Sequence, residues 1–150
     1  MLASDPTGIV VAAAHGKITG IDLATGATRW TQALLDLPLN RAQVPWDMQV
    51  VDGRVFAATL GHLFSLDQAS GQVIFHAHVP VPVGDAAART TLLVVQAGVL
   101  VARLADLHLF AFDGRRVWTA QLPRSTVMGM DASADLALGI SGHVRQVDRA

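Results

Sequence analysis

Two residue types in this chain of 150 residues could do chemistry by their kind and spacing: aspartate and histidine. Asp22, Asp67, Asp113 and Asp148 return at intervals of 45, 46 and 35 residues. Carboxylates serve as general acids and bases, but a catalytic group is normally needed once, whereas a turn residue is needed in every structural unit. Lys17, His62, His108 and His143 each stand five residues before one of these aspartates. At one height of a repeating structure they could form a partial ring that faces an anion or a partner's carboxylate and makes association pH-dependent. The polar entry to a strand explains the same residues without any ligand. His76 and His78 are two apart, so on a strand they share a face and could ligate a metal with a third group. No Asp, Glu or Cys lies nearby in sequence to complete that set. The serines fall in no nucleophile-elbow pattern and no glycine-rich phosphate loop is present. No residue is therefore assigned a catalytic, cofactor-binding or metal-binding role.

The elements that position these groups are repeats. Before each Asp stands an apolar residue: Ile21, Leu66, Phe112 and Val147. Gly16, Gly61 and Gly142 stand six residues before it, with Leu107 as the departure. After it the first two repeats run Asp-x-x-Thr/Ser-Gly, from Asp22 to Gly26 and from Asp67 to Gly71. The Asp side chain can accept backbone amides there, and Gly supplies a positive φ. In the third repeat the turn shortens to Asp113-Gly114, which predicts a two-residue type I′ hairpin. Four residues beyond each of these glycines is a large aromatic: Trp30, Phe75 and Trp118. Apolar stretches at 9–13, 55–59, 99–103 and 136–140 read as strands, as do 48–51, 91–95 and 126–130 between repeats. Prolines fall in the connections, and no segment has helical periodicity.

Composition bounds the rest. Apolar residues make up 51% of the chain and charged residues 15%, with a net charge of −1. Much surface must be buried or covered by a partner, and no basic face suits nucleic acid. The absence of cysteine excludes disulfides and thiolate metal sites. Residues 89–112 are apolar but carry Gln96, Arg103, Asp106 and His108, too polar for a membrane span. The first residues lack a basic segment and a long apolar run, so no signal peptide is expected and a cytoplasmic location is favoured. Should the sequence be part of a longer protein, an exported or periplasmic one takes its place.

Units of about 45 residues with four antiparallel strands fit propeller blades. The run Gly20-x-Asp22-x-x-Thr25-Gly26-x-x-x-Trp30 resembles the tryptophan-docking motif of PQQ-like (quinoprotein-type) β-propellers, Ala-x-Asp-x-x-Thr-Gly-Lys-x-x-Trp. Ser65 to Phe75 and Ala111 to Trp118 resemble it less fully. The resemblance implies an all-β partial propeller of about three and a half four-stranded blades. As one domain, 1–150, it would divide near 8–52, 53–96 and 97–131, with a half blade at 132–150. It also implies that Trp30, Phe75 and Trp118 dock between neighbouring blades, while Asp22, Gly26, Asp67, Gly71, Asp113 and Gly114 shape turns. The family contains quinone-dependent dehydrogenases and non-enzymatic scaffolds. Its enzymes use a longer chain, a vicinal disulfide, a calcium site and a catalytic Asp, so no cofactor is expected here.

The expected function is a non-catalytic protein-interaction or assembly scaffold. Too few blades for a closed ring imply completion by a second copy or a partner chain. Trp46, beside Pro45 in the first connection, is a candidate partner contact. The competing readings are a fragment of a quinoprotein-dehydrogenase-like enzyme and a small-ligand sensor using the propeller channel.

Overall fold

A computed structural model describes residues 2–4, 8–14, 16–34, 47–59, 61–80, 90–103, 105–121, 127–132, 136–140 and 143–147. These residues form strands and turns, with no helix among them. Two compact units divide the chain, Met1–Ala86 and Ala87–Ala150.

The first unit holds two sheets. One runs β1 (Leu2–Ser4), β2 (Ile9–Ala14), β3 (Lys17–Asp22), β4 (Thr28–Ala33); the other runs β5 (Asp47–Val51), β6 (Arg54–Thr59), β7 (His62–Asp67), β8 (Val73–His78). In the second unit, β9 (Thr90–Val95), β10 (Gly98–Arg103), β11 (Asp106–Phe110) and β12 (Arg116–Gln121) make a third sheet. A fourth has β13 (Val127–Ala132), β14 (Leu136–Ile140) and β15 (His143–Val147). Every sheet is an antiparallel meander in which sequential strands are neighbours.

The blade boundaries differ from those expected. Residues 48–51, expected at the end of the first blade, belong to the second: β5 pairs with β6, Val51 opposite Arg54. The expected cut at 52/53 therefore falls inside a hairpin, and the cuts at 96/97 and 131/132 shift in the same way. The reason is turn chemistry: Asp52 (φ 50°) and Gly53 (φ 73°) are both left-handed, the requirement of a two-residue type I′ turn. This Asp-Gly pair, and not the one at 113–114, makes the tight hairpin. The blades instead change over in the connections 34–47, 80–90 and 121–127, and β1 adds a strand that the sequence pattern had not marked.

Hydrophobic patterning follows strand position within the sheet. β6 is buried at every position from Val55 to Thr59, and β10 along its whole length. Such middle strands carry apolar side chains on both faces. β8 instead alternates, with Phe75 and Ala77 buried between exposed Ile74, His76 and His78. Within the first unit, Val11, Ile18 and Leu34 of one sheet share a core with Met48, Val55, Ala57, Phe64 and Leu66 of the other. At roughly 1.5–3 kcal/mol for each large aliphatic or aromatic side chain removed from water, this seam is the main adhesion between the first two blades.

Candidate functional site

The repeated aspartates are consumed by their own turns. Asp22 Oδ1 accepts the amides of Ala24 (3.0 Å) and Thr25 (2.9 Å), and its carbonyl accepts the Gly26 amide at 2.8 Å. Oδ2 accepts Arg29 Nε at 3.0 Å and also pairs with Arg29 Nη2. The Arg29 guanidinium, helped by the Thr25 amide, holds this carboxyl well down, at about 2. Asp67 repeats the design: Oδ1 accepts the Ser70 hydroxyl (2.7 Å) and amide (2.8 Å), which lower its pKa, and Gly71 donates to its carbonyl. Gly26 (φ 71°) and Gly71 (φ 74°) occupy the left-handed position that closes each turn.

The third turn departs from expectation. Strand register pairs Gly20 with Trp30, Ser65 with Phe75, and Leu109 with Trp118. That places Ala111, not Asp113, where Asp22 and Asp67 stand. Its amide donates to Arg115 O (2.9 Å) and its carbonyl accepts the Gly114 amide (3.0 Å). Among the described residues Asp52 is the only non-glycine with positive φ, so Asp113-Gly114 is not a type I′ pair. The geometry is that of a longer loop closed by Gly114 in the left-handed region (φ 88°). Asp113 instead accepts the Arg115 amide at 2.9 Å.

The same slip of two residues breaks the expected basic ring. Asp106, accepting Gln121 Nε2 at 3.1 Å, is the residue level with Lys17 and His62. His108 lies one rung further along, level with Thr19 and Phe64, where Nδ1 meets Thr119 Oγ1 at 3.1 Å. Burial, above all, lowers its pKa; the Arg116 charge adds to this and Asp106 opposes it. Lys17 is exposed at the start of β3. His143 opens β15, but its side chain lies outside the described residues, as do Trp46 and Asp148.

Trp30 forms the clearest blade-to-blade device. Its ring lies over Gly20, where an added Cβ would come within 2.4 Å of Cε2 and Nε1. On the other side it meets Gly71 of the next sheet, where a Cβ would come within 2.4 Å of Cε3. Nε1–H donates to the Gln68 carbonyl at 2.8 Å. Gln68, 1% exposed, reaches back through Nε2 to the Ile9 carbonyl at 3.0 Å. Sequence reading found the Trp and the turn glycine but missed Gln68, whose only mark is its place directly after the turn Asp. Phe75 is buried at 9% exposure opposite Ser65, whereas Trp118 is 40% exposed opposite Leu109.

A second grouping joins residues that looked unrelated. His62 stands opposite His78, and His76 opposite Phe64. His62 Nδ1 lies 2.9 Å from His76 Nε2, and the His76 ring stacks on Phe64 with centroids 4.3 Å apart. Burial first, then the neighbouring imidazoles, lower the pKa of His62 and His76.

Quinone and calcium sites of the enzymes resembled need free carboxylates. Asp22 and Asp67 have theirs bound to turn amides and side chains, and the chain has no cysteine. Those two repeated aspartates are therefore not free to hold such a group.

Comparison with known proteins agrees with the repeat. The family model described as outer membrane protein assembly factor BamB, a PQQ-type repeat, matches residues 5–145. BamB from Moraxella catarrhalis superposes with a TM-score of 0.76 at 21% identity, over 99% of this chain and 49% of that one. A europium-containing methanol dehydrogenase gives 0.61 at 19% identity, over 76% of this chain and 23% of the enzyme. A Bacteroides caccae protein of unknown function gives 0.68 at 13% identity, over 98% and 59%. The chain thus spans about half the length of the Moraxella protein. No curated protein matches it in sequence.

Proposed function

Because the chain belongs to the PQQ-like β-propeller family represented by the BamB model, we propose that it is a non-catalytic assembly scaffold whose first blade receives a further blade from a second copy or a partner chain. One observation carries this reading. Leu23 and Gln68 hold the same place after the turn Asp, and their amides donate to Gly8 and Gly53 carbonyls respectively. Gln68 is covered by the preceding blade, yet Leu23 is 63% exposed. Trp30 crowds Gly71, but no described atom lies within 4 Å of a Cβ built on Gly26. The turn of the first blade therefore repeats the geometry by which Gln68 and Gly71 receive Trp30, and leaves an apolar residue exposed there.

Light scattering tests the self-association arm: the expected mass exceeds one 15.8 kDa chain, and Leu23→Lys lowers it while circular dichroism is unchanged. A folded monomer that also forms no cross-link from position 23 to another chain in its host would overturn the proposal. The relative's description as an outer membrane assembly factor supports the exported placement over the cytoplasmic one. The dehydrogenase likeness supports the fold alone, and reconstitution with a quinone is expected to yield no bound absorbance band.

A further inference from the structure

The histidines of β7 and β8 make a cluster that the scaffold reading does not use. His62 Nδ1 and His76 Nε2 are 2.9 Å apart; ring centroids are 4.9 Å apart for that pair and 5.8 Å for His62 and His78, which meet edge-on. Phe64 fixes the plane of His76 by stacking beneath it. On this face the cross-strand rows are Thr59–His62–His78 and Ala57–Phe64–His76, with no carboxylate in either. His76 and His78 are exposed and His62 is half-buried, so an ion can reach them. Burial first, and then the neighbouring imidazoles (His76 and His78 for His62, His78 for His76), lower both pKa values and so favour the neutral form, which has an unshared electron pair to donate.

We propose that this face binds a late first-row divalent ion, Cu²⁺ or Ni²⁺, through His62 Nδ1 and His76 Nε2, with His78 as third ligand and water completing the sphere. With metal–nitrogen bonds of about 2.0–2.1 Å, a 2.9 Å edge between donors subtends about 90°, the cis angle of a tetragonal site. A tetrahedral Zn²⁺ would need the two nitrogens about 3.3 Å apart. Among the described residues no three His, Cys, Asp or Glu side chains stand placed to hold a metal ion as they are. His78 must turn inward, an exposed-ring rotation that is fast. Whichever nitrogen donates the hydrogen bond moves its proton to the other nitrogen of its own ring, so no net proton is lost.

Titration of the tag-free chain with CuCl₂, NiCl₂ and ZnCl₂, by calorimetry and by electron paramagnetic resonance for copper, tests this. One saturable Cu²⁺ site with nitrogen hyperfine structure is expected, in the order Cu²⁺ above Ni²⁺ above Zn²⁺. His76→Gln should weaken it about tenfold or more, His78→Gln should weaken it less, and His108→Gln should leave it unchanged. The first two variants should keep the wild-type dichroism, since they remove exposed side chains, and His108→Gln, at a buried position, controls for effects that come only from a disturbed fold. Absence of a saturable site, or an affinity unchanged in the His62→Gln/His76→Gln double variant, would overturn the proposal.

Discussion

The slot that holds Trp30 permits a quantitative test of how the first two blades adhere. Gly20 has an ordinary strand conformation, so Gly20→Ala should by itself stabilise a strand by about 0.5–1 kcal/mol. In this protein the new Cβ would lie 2.4 Å from Trp30 Cε2, far inside ordinary contact. The indole cannot simply withdraw. Gly71 lies against its other side, and Nε1 is held at 2.8 Å by the Gln68 carbonyl. A displacement of about 1 Å would stretch that bond beyond hydrogen-bonding range, forfeiting about 1 kcal/mol. Overpacking adds about 1–3 kcal/mol. Net of the strand gain, Gly20→Ala should therefore cost about 1–3.5 kcal/mol despite adding only a methyl group. In a Trp30→Ala background, itself destabilised by up to about 3–5 kcal/mol, the clash is gone and Gly20→Ala should become neutral or favourable. Urea unfolding followed by circular dichroism on all four proteins gives the coupling energy directly. If Gly20→Ala costs the same within about 0.5 kcal/mol in both backgrounds, the indole is not held in the way described.

Further outcomes follow from the turns and the histidines. Asp22 and Asp67 have folded pKa values below the ordinary 3.8, that of Asp22 at about 2. Their contribution is thus complete above pH 3.8 and lost as pH falls toward 2; urea midpoints across this range should drop, and less so in Asp22→Asn/Asp67→Asn. His62 and His76 are also depressed, from 6.5. Stability should then be full above 6.5 and decline as pH falls below it, a slope that His62→Gln/His76→Gln flattens. Gly53→Ala forces an alanine to φ 73° and should cost about 1–2 kcal/mol in thermal melts, a far larger loss than Asp52→Gly at its neighbour. Gln68→Ala removes the bridge to the Ile9 carbonyl and should cost about 1–3 kcal/mol in urea melts.

What could be read in advance was whatever recurs locally. The Asp-x-x-Thr/Ser-Gly turns and the aromatic four residues beyond each glycine are short-range signals, and they led to the blade repeat. In the third copy the aspartate no longer marks the structural position. Asp113 lies two residues past the structural position, where Ala111 makes the backbone bonds alone, so His108 was placed level with His62 when Asp106 belongs there. Blade boundaries were misplaced by one strand because Asp52-Gly53 went unrecognised as the tight turn. Gln68 and the grouping of His62 with His76 depend on pairing across 59 and 14 residues. No local pattern could reveal them.

The fit of Trp30 between two glycines also bears on how the blades may be exchanged. Opposite the docking aromatic the strand residue is Gly20, then Ser65, then Leu109, facing Trp30, Phe75 and Trp118. A full indole lies flat only over bare backbone; over Ser65 a smaller ring is buried, and over Leu109 the indole remains 40% exposed. These copies have become unlike cross-strand pairs. In the third blade an indole thus already faces a leucine, and it stays exposed where the first blade's lies over bare backbone. Each pairing lies within one sheet, so every blade carries its own fit of aromatic to neighbouring strand, and the outer strand of one copy is not interchangeable with that of another.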